Sequence, residues 1–391
     1  MNTVVIVGAS HAAPDAIATL RRSGWDGKII LIGDEDSLPY QRPPLSKAYY
    51  SGDVVKEKLL IRNADFYAKS DVELKLGCRV NTIDVDAKTV TLSNGESVAY
   101  DKLILATGTR ARQLAVPGAG LPQVHYLRTL SDVDEIKSNV GEGARLLIIG
   151  AGYIGLEIAA SAVKQGIHVT VLENAERVLS RVTGPEISAF YQNLHTHHGV
   201  DLRLNSKLSE LVCSENDDAG TYALMGDGEK IPFDHVIVGV GVLPNSEIAE
   251  HAGLDCDNGI VVNEFTQTSH PDVYAIGDVS NHPNFIYNQR LRLESVPNAS
   301  GQAKVAASHI AGKEMAYDQL PWFWSDQYDV KLQTAGLFQG YDETLVQGDI
   351  ENNKFSVTYL KQGRVIAIDA INSPKDFMLA KKKILQDHTT S

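Results

Sequence analysis

Cysteine is scarce in this chain. Its three residues, Cys78, Cys213 and Cys256, lie far apart and form neither a Cys-x-x-Cys nor a Cys-x4-Cys pair. This spacing excludes a redox dithiol of the usual local kind, and isolated thiols in odd number are typical of a reducing compartment. We therefore expect structural thiols in a cytoplasmic protein.

Positive charge is also in short supply. The chain carries 36 Lys and Arg residues against 49 Asp and Glu residues, which gives a formal net charge of -13. A surface of this kind disfavours general binding to nucleic acid or to anionic membranes. A local basic patch is still compatible with this negative net charge.

The N-terminal residues do not have the pattern of a secretory leader, and one apolar stretch approaches the length of a membrane span. Strand-like Val4-Val5-Ile6-Val7 follows almost directly on Met1, without a basic n-region or an apolar h-region, so we expect no signal peptide. Residues 146–163 approach the length of a membrane span. Three glycines and Glu157 within that stretch favour a soluble turn and helix over a span.

The chain has 391 residues, 43% of them apolar and 22% charged. The length indicates two or three globular domains.

Residues 146–157, LLIIGAGYIGLE, join an apolar run to Gly-x-Gly-x-x-Gly, and a second apolar run ends at Glu173. In such a motif Gly150 makes the turn from strand to helix, Gly152 lets the pyrophosphate approach, and Gly155 lets the helix pack closely. The following helix offers N–H groups and a positive dipole end to the phosphates. The sequence therefore predicts a dinucleotide site, although a packing turn without a ligand has the same glycines.

A degenerate copy of this motif begins the chain. Val4–Val7 lead into Gly8, a helical stretch and a second apolar run that ends at Asp34 and Glu35. Ser10 replaces the glycine at the pyrophosphate, and Ala13 replaces the third glycine. Two such units about 140 residues apart favour two dinucleotides, of which a flavin and a nicotinamide are the economical pair. A plain βαβ unit is the alternative for this first copy.

Residues 38–47, LPYQRPPLSK, form a loop that two consecutive prolines stiffen. With the two glycine loops, Ala106-Thr107-Gly108 and Ala275-Ile276-Gly277-Asp278, this segment resembles the FAD-dependent NADH:ferredoxin reductases of oxygenase systems. These putidaredoxin reductase-like flavoproteins belong to the superfamily with two dinucleotide-binding domains. Related disulfide reductases carry a cysteine pair in this region, and this chain does not.

The resemblance implies an α/β fold with two Rossmann-like three-layer dinucleotide-binding domains and a smaller α+β C-terminal domain. We expect the FAD domain in residues 1–110 and 239–319, the NAD domain in residues 111–238, and the C-terminal domain in residues 320–391. Trp322, Phe323 and Trp324 open this last domain, and packing is favoured over partner contact for them.

The motifs and the resemblance together give two sets of cofactor residues. For FAD they are Gly8, Ser10, Ala12, Ala13, Asp34, Glu35, Arg42, Lys47, Val80, Thr107, Gly108, Arg128, Asp278 and Val296. For NAD they are Gly150, Gly152, Tyr153, Ile154, Gly155, Glu157 and Glu173.

Within these sets three assignments carry alternatives. Either Asp34 or Glu35 would bind the adenosine ribose of FAD, with Asp34 favoured by the alignment from Lys47. Arg128 would lie on the flavin side or form a surface ion pair. Glu173 favours NADH over NADPH because its charge repels a 2′-phosphate, although Arg177 and Arg181 lie nearby in sequence.

The resemblance also implies the chemistry. A hydride passes from NADH to FAD, and single electrons then pass to a [2Fe–2S] ferredoxin. Lys47 and Glu157 would pair, align the nicotinamide and tune the flavin, and thus count as the catalytic residues.

Because ferredoxins are usually acidic, the resemblance points to a local basic patch of Arg62 and Lys304, with Arg290 and Arg292 as further candidates. Rival functions are a rubredoxin or monodehydroascorbate reductase, and a redox signalling protein like apoptosis-inducing factor. His195, His197 and His198 look like a metal cluster, but no carboxylate or cysteine is spaced to join them, and we expect no metal.

Overall fold

The computed structural model describes residues 2–213 and 220–389. The chain divides into two compact units, each assembled from three segments. The first consists of residues 1–41, 57–110 and 243–323, and the second of residues 42–56, 111–242 and 324–391. The four domain segments expected from the sequence stay a prediction.

Helices separate runs of consecutive strands along the chain. The α-helices are α1 Ala12–Arg22, α2 Ala64–Lys69, α3 Leu130–Asn139, α4 Tyr153–Val163, α5 Pro185–His197, α6 Glu247–His251, α7 Val296–Ile310 and α8 Pro374–Thr389. Short 3-10 helices span Pro43–Ser46, Lys56–Leu59 and Gly277–Val279.

The strands are listed in chain order. They are β1 Thr3–Val7, β2 Lys28–Ile32, β3 Val72–Lys75, β4 Val80–Asp84, β5 Thr89–Leu92, β6 Ser97–Ala99, β7 Lys102–Leu105, β8 Thr109–Ala111, β9 Val124–Tyr126, β10 Arg145–Ile149, β11 His168–Leu172, β12 Asp201–Arg203, β13 Leu208–Cys213, β14 Thr221–Met225, β15 Lys230–Pro232, β16 His235–Val238, β17 Val242–Pro244, β18 Ile260–Val261, β19 Val273–Ala275, β20 Ser280–Asn284, β21 Gln289–Leu291, β22 Trp322–Gln327, β23 Val330–Gly336, β24 Glu343–Asp349, β25 Lys354–Lys361 and β26 Arg364–Ile371.

A parallel sheet in the order β19-β7-β1-β2-β3 forms the centre of the first unit. Alternate residues of β1 point to opposite faces, as the pleat of a strand requires. Val4 and Ile6 pack in a core with helices α1 and α7. Val5 and Val7 pack in a second core with the antiparallel sheet β4-β5-β6. The unit therefore has three layers.

The second unit repeats this plan around the parallel sheet β12-β11-β10-β16-β9. Leu147 and Ile149 of β10 share a core with the antiparallel sheet β13-β14-β15. Helix α4 packs against β10 and β11. The strand-rich C-terminal part adds the sheet β22-β23-β26-β25-β24 and helix α8. The α/β fold class with two Rossmann-like units and a smaller α+β part is confirmed.

Three further observations concern features that the sequence singled out. In residues 2–213 and 220–389, no helix has both the length and the apolar character needed to cross a bilayer. All three cysteines are free thiols. Trp322, Phe323 and Trp324 are each partly buried, so the choice between packing and partner contact stays a prediction.

Candidate functional site

The first glycine loop connects β1 to α1. Gly8 has a φ of +115°, and a Cβ built there would lie 2.1 Å from the carbonyl oxygen of Ala106. Only glycine adopts this backbone at that distance from the next strand. Ala12 and Ala13 are buried at the start of α1, where small side chains let the helix pack on the sheet. Ser10 lies in the turn between Gly8 and α1 and is partly buried.

The second glycine loop, between β10 and α4, has the same construction. Gly150 has a φ of +104°, and its Cβ would lie 2.5 Å from the carbonyl oxygen of Gly239. A Cβ at Gly155 would lie 2.1 Å from the carbonyl oxygen of Gly150, so this glycine sets the closeness of helix and strand. A Cβ at Gly152 would meet no atom within 4 Å. Gly152 therefore leaves an approach to the backbone at the helix N-terminus, which fits a pyrophosphate.

The acids after the two βαβ units have different surroundings. Asp34 is exposed, whereas Glu35 accepts a hydrogen bond from the hydroxyl of Tyr40. Glu173 accepts the backbone N–H groups of Ala151 and Ala175, one on each carboxylate oxygen and both at 2.8 Å. Glu173 is thus tied to the glycine loop of its own unit.

The segment after Glu173 is held by hydrogen bonds of its own and by residues of the C-terminal strands. The Arg177 guanidinium donates to Ser188 Oγ at 2.7 Å and to two backbone carbonyls of the same segment. The Tyr359 hydroxyl accepts the N–H of Gly184 at 2.9 Å and donates to Asp369 at 2.7 Å. Thr183 also donates to Asp369. Burial raises the pKa of Asp369 to about 6.

Two motifs of the first unit meet other parts of the same unit. Thr107 Oγ1 donates to the carbonyl of Asn245 at 2.8 Å, and the Asn245 amide donates back to the carbonyl of Thr107 at 2.9 Å. Gly108, the next residue, has a φ of +61°. Thr109 Oγ1 lies 3.4 Å from Asp278 Oδ2. The Ala-Thr-Gly and Gly-Asp motifs are therefore brought together.

The remaining FAD candidates are placed as follows. Val80 is buried at the start of β4 in the core of the first unit. Val296 is the first residue of α7, whose N-cap Ser295 accepts the N–H of Asn298. The Arg42 guanidinium donates to the carbonyl of Arg128 at 2.6 Å, within the second unit. For Val80, Val296, Arg42 and Arg128, contact with the cofactor stays a prediction.

Lys47 and Glu157 form an ion pair. Lys47 Nζ lies 2.6 Å from Glu157 Oε2, and the Glu157 side chain is only 4% exposed. Ser46 Oγ donates to the same oxygen at 2.6 Å, and Ser325 Oγ donates to Oε1 at 2.6 Å. A buried carboxylate needs such partners because an unpaired charge in the protein interior is costly.

Sequence reasoning missed both serines. Ser46 stands inside the loop motif next to Lys47, so its position was a usable signal. Ser325 lies 168 residues from Glu157 and directly follows the aromatic residues 322–324, and nothing in that run signals a contact with Glu157.

The residues present fit two dinucleotides. Each unit places a glycine with positive φ at the end of its central strand, followed by a helix whose first turn packs closely on the sheet. A model of pyridine nucleotide-disulphide oxidoreductases matches residues 2–303, and a model of the reductase C-terminal domain matches residues 322–391. The chain belongs to the pyridine nucleotide-disulphide oxidoreductase family.

Relatives of this oxidoreductase include several electron-transfer reductases. It is 44% identical to putidaredoxin reductase of Pseudomonas putida, over 98% of this chain and 92% of the relative. It is 43% identical to the ferredoxin reductase subunit of a Sphingobium 5,5′-dehydrodivanillate O-demethylase, over 97% and 92% of the two chains. The crystal structure of a covalent putidaredoxin reductase–putidaredoxin complex is similar, with a TM-score of 0.94, 44% identity and coverage of 98% and 93%. The resemblance stated from the motifs is confirmed.

The four basic candidates of this oxidoreductase differ in their surroundings. Arg62 and Lys304 are exposed, and Arg62 also lies over the ring of Phe66. The Arg290 guanidinium donates to the carbonyls of Val262 and Asn281. Arg292 donates to the carbonyl of Asp278 at 3.0 Å and pairs with Glu294. Arg290 and Arg292 therefore have structural partners in the first unit.

The three histidines of α5 and its end do not converge on one point. His195 is fully buried and lies against Gln327 and Tyr328, and the His198 ring stacks on Tyr328 at 3.8 Å. Across the described parts of the chain, no group of three metal-ligating side chains comes together.

Proposed function

We propose that this oxidoreductase uses FAD to pass electrons from NADH to a [2Fe–2S] ferredoxin that serves an oxygenase. Bound FAD would supply the conversion between the two-electron donor and the one-electron acceptor. The putidaredoxin reductase relationship supports the acceptor class. A cytoplasmic location, where NADH is available, is part of the proposal.

The observation that carries the proposal is the ion pair between Lys47 and Glu157, which lies on the first turns of α4, directly after the second glycine loop. A carboxylate offers about four acceptor positions. Lys47, Ser46 and Ser325 fill three of them in this structure. Among the residues that the structure describes, no other group fills the fourth position, and we assign it to the amide N–H of the nicotinamide carboxamide.

The chain's own residues bind and orient in this scheme. The N-terminus of α4 holds the pyrophosphate of NADH beside Gly152. Glu157 orients the nicotinamide, and Lys47 holds the Glu157 carboxylate through the ion pair. The scheme needs no side chain to act as a nucleophile or as a general base.

The first unit holds the flavin dinucleotide in the same proposal. Asp34, exposed at the end of β2, binds the adenosine ribose, and the joined Ala-Thr-Gly and Gly-Asp motifs bring Asp278 to the ribityl chain. The roles of Ser10, Glu35, Val80 and Val296 belong to this proposal as well.

Preference for NADH over NADPH follows from Glu173. Its negative charge disfavours a 2′-phosphate on the adenosine ribose. The Arg177 guanidinium has three acceptors inside its own segment, so it is a poor partner for that phosphate.

The test is an anaerobic titration of the purified holoprotein, followed by an acceptor panel. We expect NADH to bleach the visible flavin absorbance and NADPH to do so far more weakly. A [2Fe–2S] ferredoxin should then be reduced faster than a rubredoxin or monodehydroascorbate. A protein without flavin, or a flavin that NADH leaves oxidised, contradicts the proposal. Slow turnover with every acceptor would instead favour a signalling role.

A further inference from the structure

A row of buried polar side chains ends on Glu157. Ser325 Oγ donates to Glu157 Oε1 at 2.6 Å, and Gln327 Nε2 donates to Ser325 Oγ at 3.2 Å. Both residues belong to β22 and stand two positions apart, so their side chains leave the strand on the same face. Ser325 is fully buried and Gln327 nearly so.

The row continues to a histidine of helix α5. His195 Nε2 lies 2.8 Å from Gln327 Oε1, and the Tyr328 hydroxyl lies 3.1 Å from His195 Nδ1. Burial lowers the pKa of His195 to about 4, so the ring is neutral near pH 7. A neutral imidazole has one donor and one acceptor nitrogen.

These contacts have only one consistent direction. Because the Gln327 amide nitrogen donates to Ser325, its oxygen faces His195 and must accept. His195 therefore donates from Nε2, and its Nδ1 accepts from Tyr328. Each group in the row donates a hydrogen bond to the next one, in the order Tyr328, His195, Gln327 and Ser325. The Glu157 carboxylate accepts the last of these hydrogen bonds.

We infer that His195, Gln327 and Ser325 are positioning residues of the reductase, which fix the Glu157 carboxylate in one orientation toward the nicotinamide carboxamide. This inference rests on the proposed function. Lys47 and Ser46 both bind Oε2, so neither of them holds the other oxygen. Ser325 is the donor that holds Oε1 and thereby sets the rotation of the carboxylate.

This arrangement also explains the α5 histidine without a metal. Both ring nitrogens of His195 have hydrogen-bond partners in the row. The Nε2 donor of His195 meets the amide oxygen that Gln327 turns toward it. The C-terminal strand β22 thus reaches the first turns of α4 through defined hydrogen bonds.

The first test compares Ser325→Ala and Gln327→Leu with Ser325→Thr, which keeps the hydroxyl donor. Anaerobic rapid mixing with NADH separates the limiting rate of flavin reduction from the Kd of NADH. We expect Ser325→Ala and Gln327→Leu to lower the limiting rate about tenfold, while the Kd changes by less than about twofold. Ser325→Thr should stay close to the wild type.

Glu157→Gln distinguishes the role of Glu157 from that of the residues that position it. If Glu157→Gln slows flavin reduction and neither Ser325→Ala nor Gln327→Leu does, the positioning row is refuted and the proposed function stands. If Glu157→Gln itself has no effect, the role of Glu157 is refuted and the row falls with it.

A second readout does not depend on activity. Nitrogen-15 NMR of histidine-labelled protein should find His195 neutral and protonated on Nε2 at pH 7, with that tautomer preference weakened in Gln327→Leu. A charged His195, or one protonated on Nδ1, would overturn the direction of the row and with it the inference.

Discussion

Gln302 Oε1 accepts the backbone N–H of Gly277 at 2.7 Å. The same oxygen accepts the Ser280 hydroxyl at 2.7 Å, and Gln302 is fully buried on α7. Gly277 has a φ of +77° and directly precedes Asp278. The turn that presents Asp278 is therefore anchored by a side chain of the helix behind it.

We expect Gln302→Leu to weaken FAD retention and lower the melting temperature. The change leaves the buried N–H of Gly277 without an acceptor, which costs about 1–3 kcal/mol. Fluorescence titration of the apoprotein with FAD measures the affinity. Gln289→Leu makes the same replacement at an exposed position and should match the wild type. Equal FAD affinity in the two variants would show that the anchor does not matter.

The second glycine loop provides a pair of substitutions with opposite expectations. Gly152→Ala should fold normally, since its Cβ meets nothing within 4 Å, yet bind NADH about tenfold more weakly because the methyl group obstructs the pyrophosphate. Gly155→Ala should destabilise the protein itself, because its Cβ would lie 2.1 Å from a backbone oxygen. Thermal melting and calorimetric NADH binding separate the two effects. A Gly152→Ala protein with unchanged NADH affinity would argue against the site.

Much of this architecture could be predicted from local sequence. The loops at Gly8 and Gly150 need glycine because a strand carbonyl lies too close for a Cβ, and that requirement leaves a readable spacing. Even the degenerate first copy, with Ser10 and Ala13, kept the order of strand, turn, helix, strand and acid. The three-layer units followed from these motifs.

The partners of charged and polar side chains could not be predicted in the same way. Arg290 is a docking candidate by resemblance, and that role stays a prediction. Its guanidinium donates to two backbone carbonyls that only folding brings near. Ser325 and His195 carry no sequence signal for their contacts. Such hydrogen bonds depend on distant segments, whereas motif spacing reports local geometry.

Asp369 should give the protein an unusual pH dependence of stability. Its folded-state pKa of about 6 lies above the ordinary value of 3.8, so the folded protein binds the extra proton between these pH values. The higher pKa of Asp369 stabilises the folded state below about pH 4. This stabilisation, about 3 kcal/mol, is lost as the pH rises to about 6. Thermal melts of wild type and Asp369→Asn from pH 4 to 7 measure it. As the pH rises, the melting temperature of the wild type should fall relative to that of Asp369→Asn. A difference in melting temperature that stays constant with pH would contradict the assignment.

Charge reversal at Arg62 and Lys304 should impair electron delivery selectively. Arg62→Glu combined with Lys304→Glu should lower kcat/KM for an acidic ferredoxin about tenfold at low salt, with the effect fading at high ionic strength. Reduction of ferricyanide by NADH should be unchanged. Exposed Lys354 provides the control, since Lys354→Glu alters net charge in the same sense. Equal loss of both activities in the double variant would refute the docking assignment.

The donors to Glu157 come from far apart in the chain, with Ser46 lying 111 residues before it and Ser325 lying 168 residues after it. During synthesis on a ribosome, the glycine loop and α4 emerge long before β22 exists. The hydrogen bonds to the Glu157 carboxylate are therefore complete only when the C-terminal segment has been made and has folded back. A chain that ends before Ser325 would hold every dinucleotide motif of the reductase and still lack the donor to Glu157 Oε1.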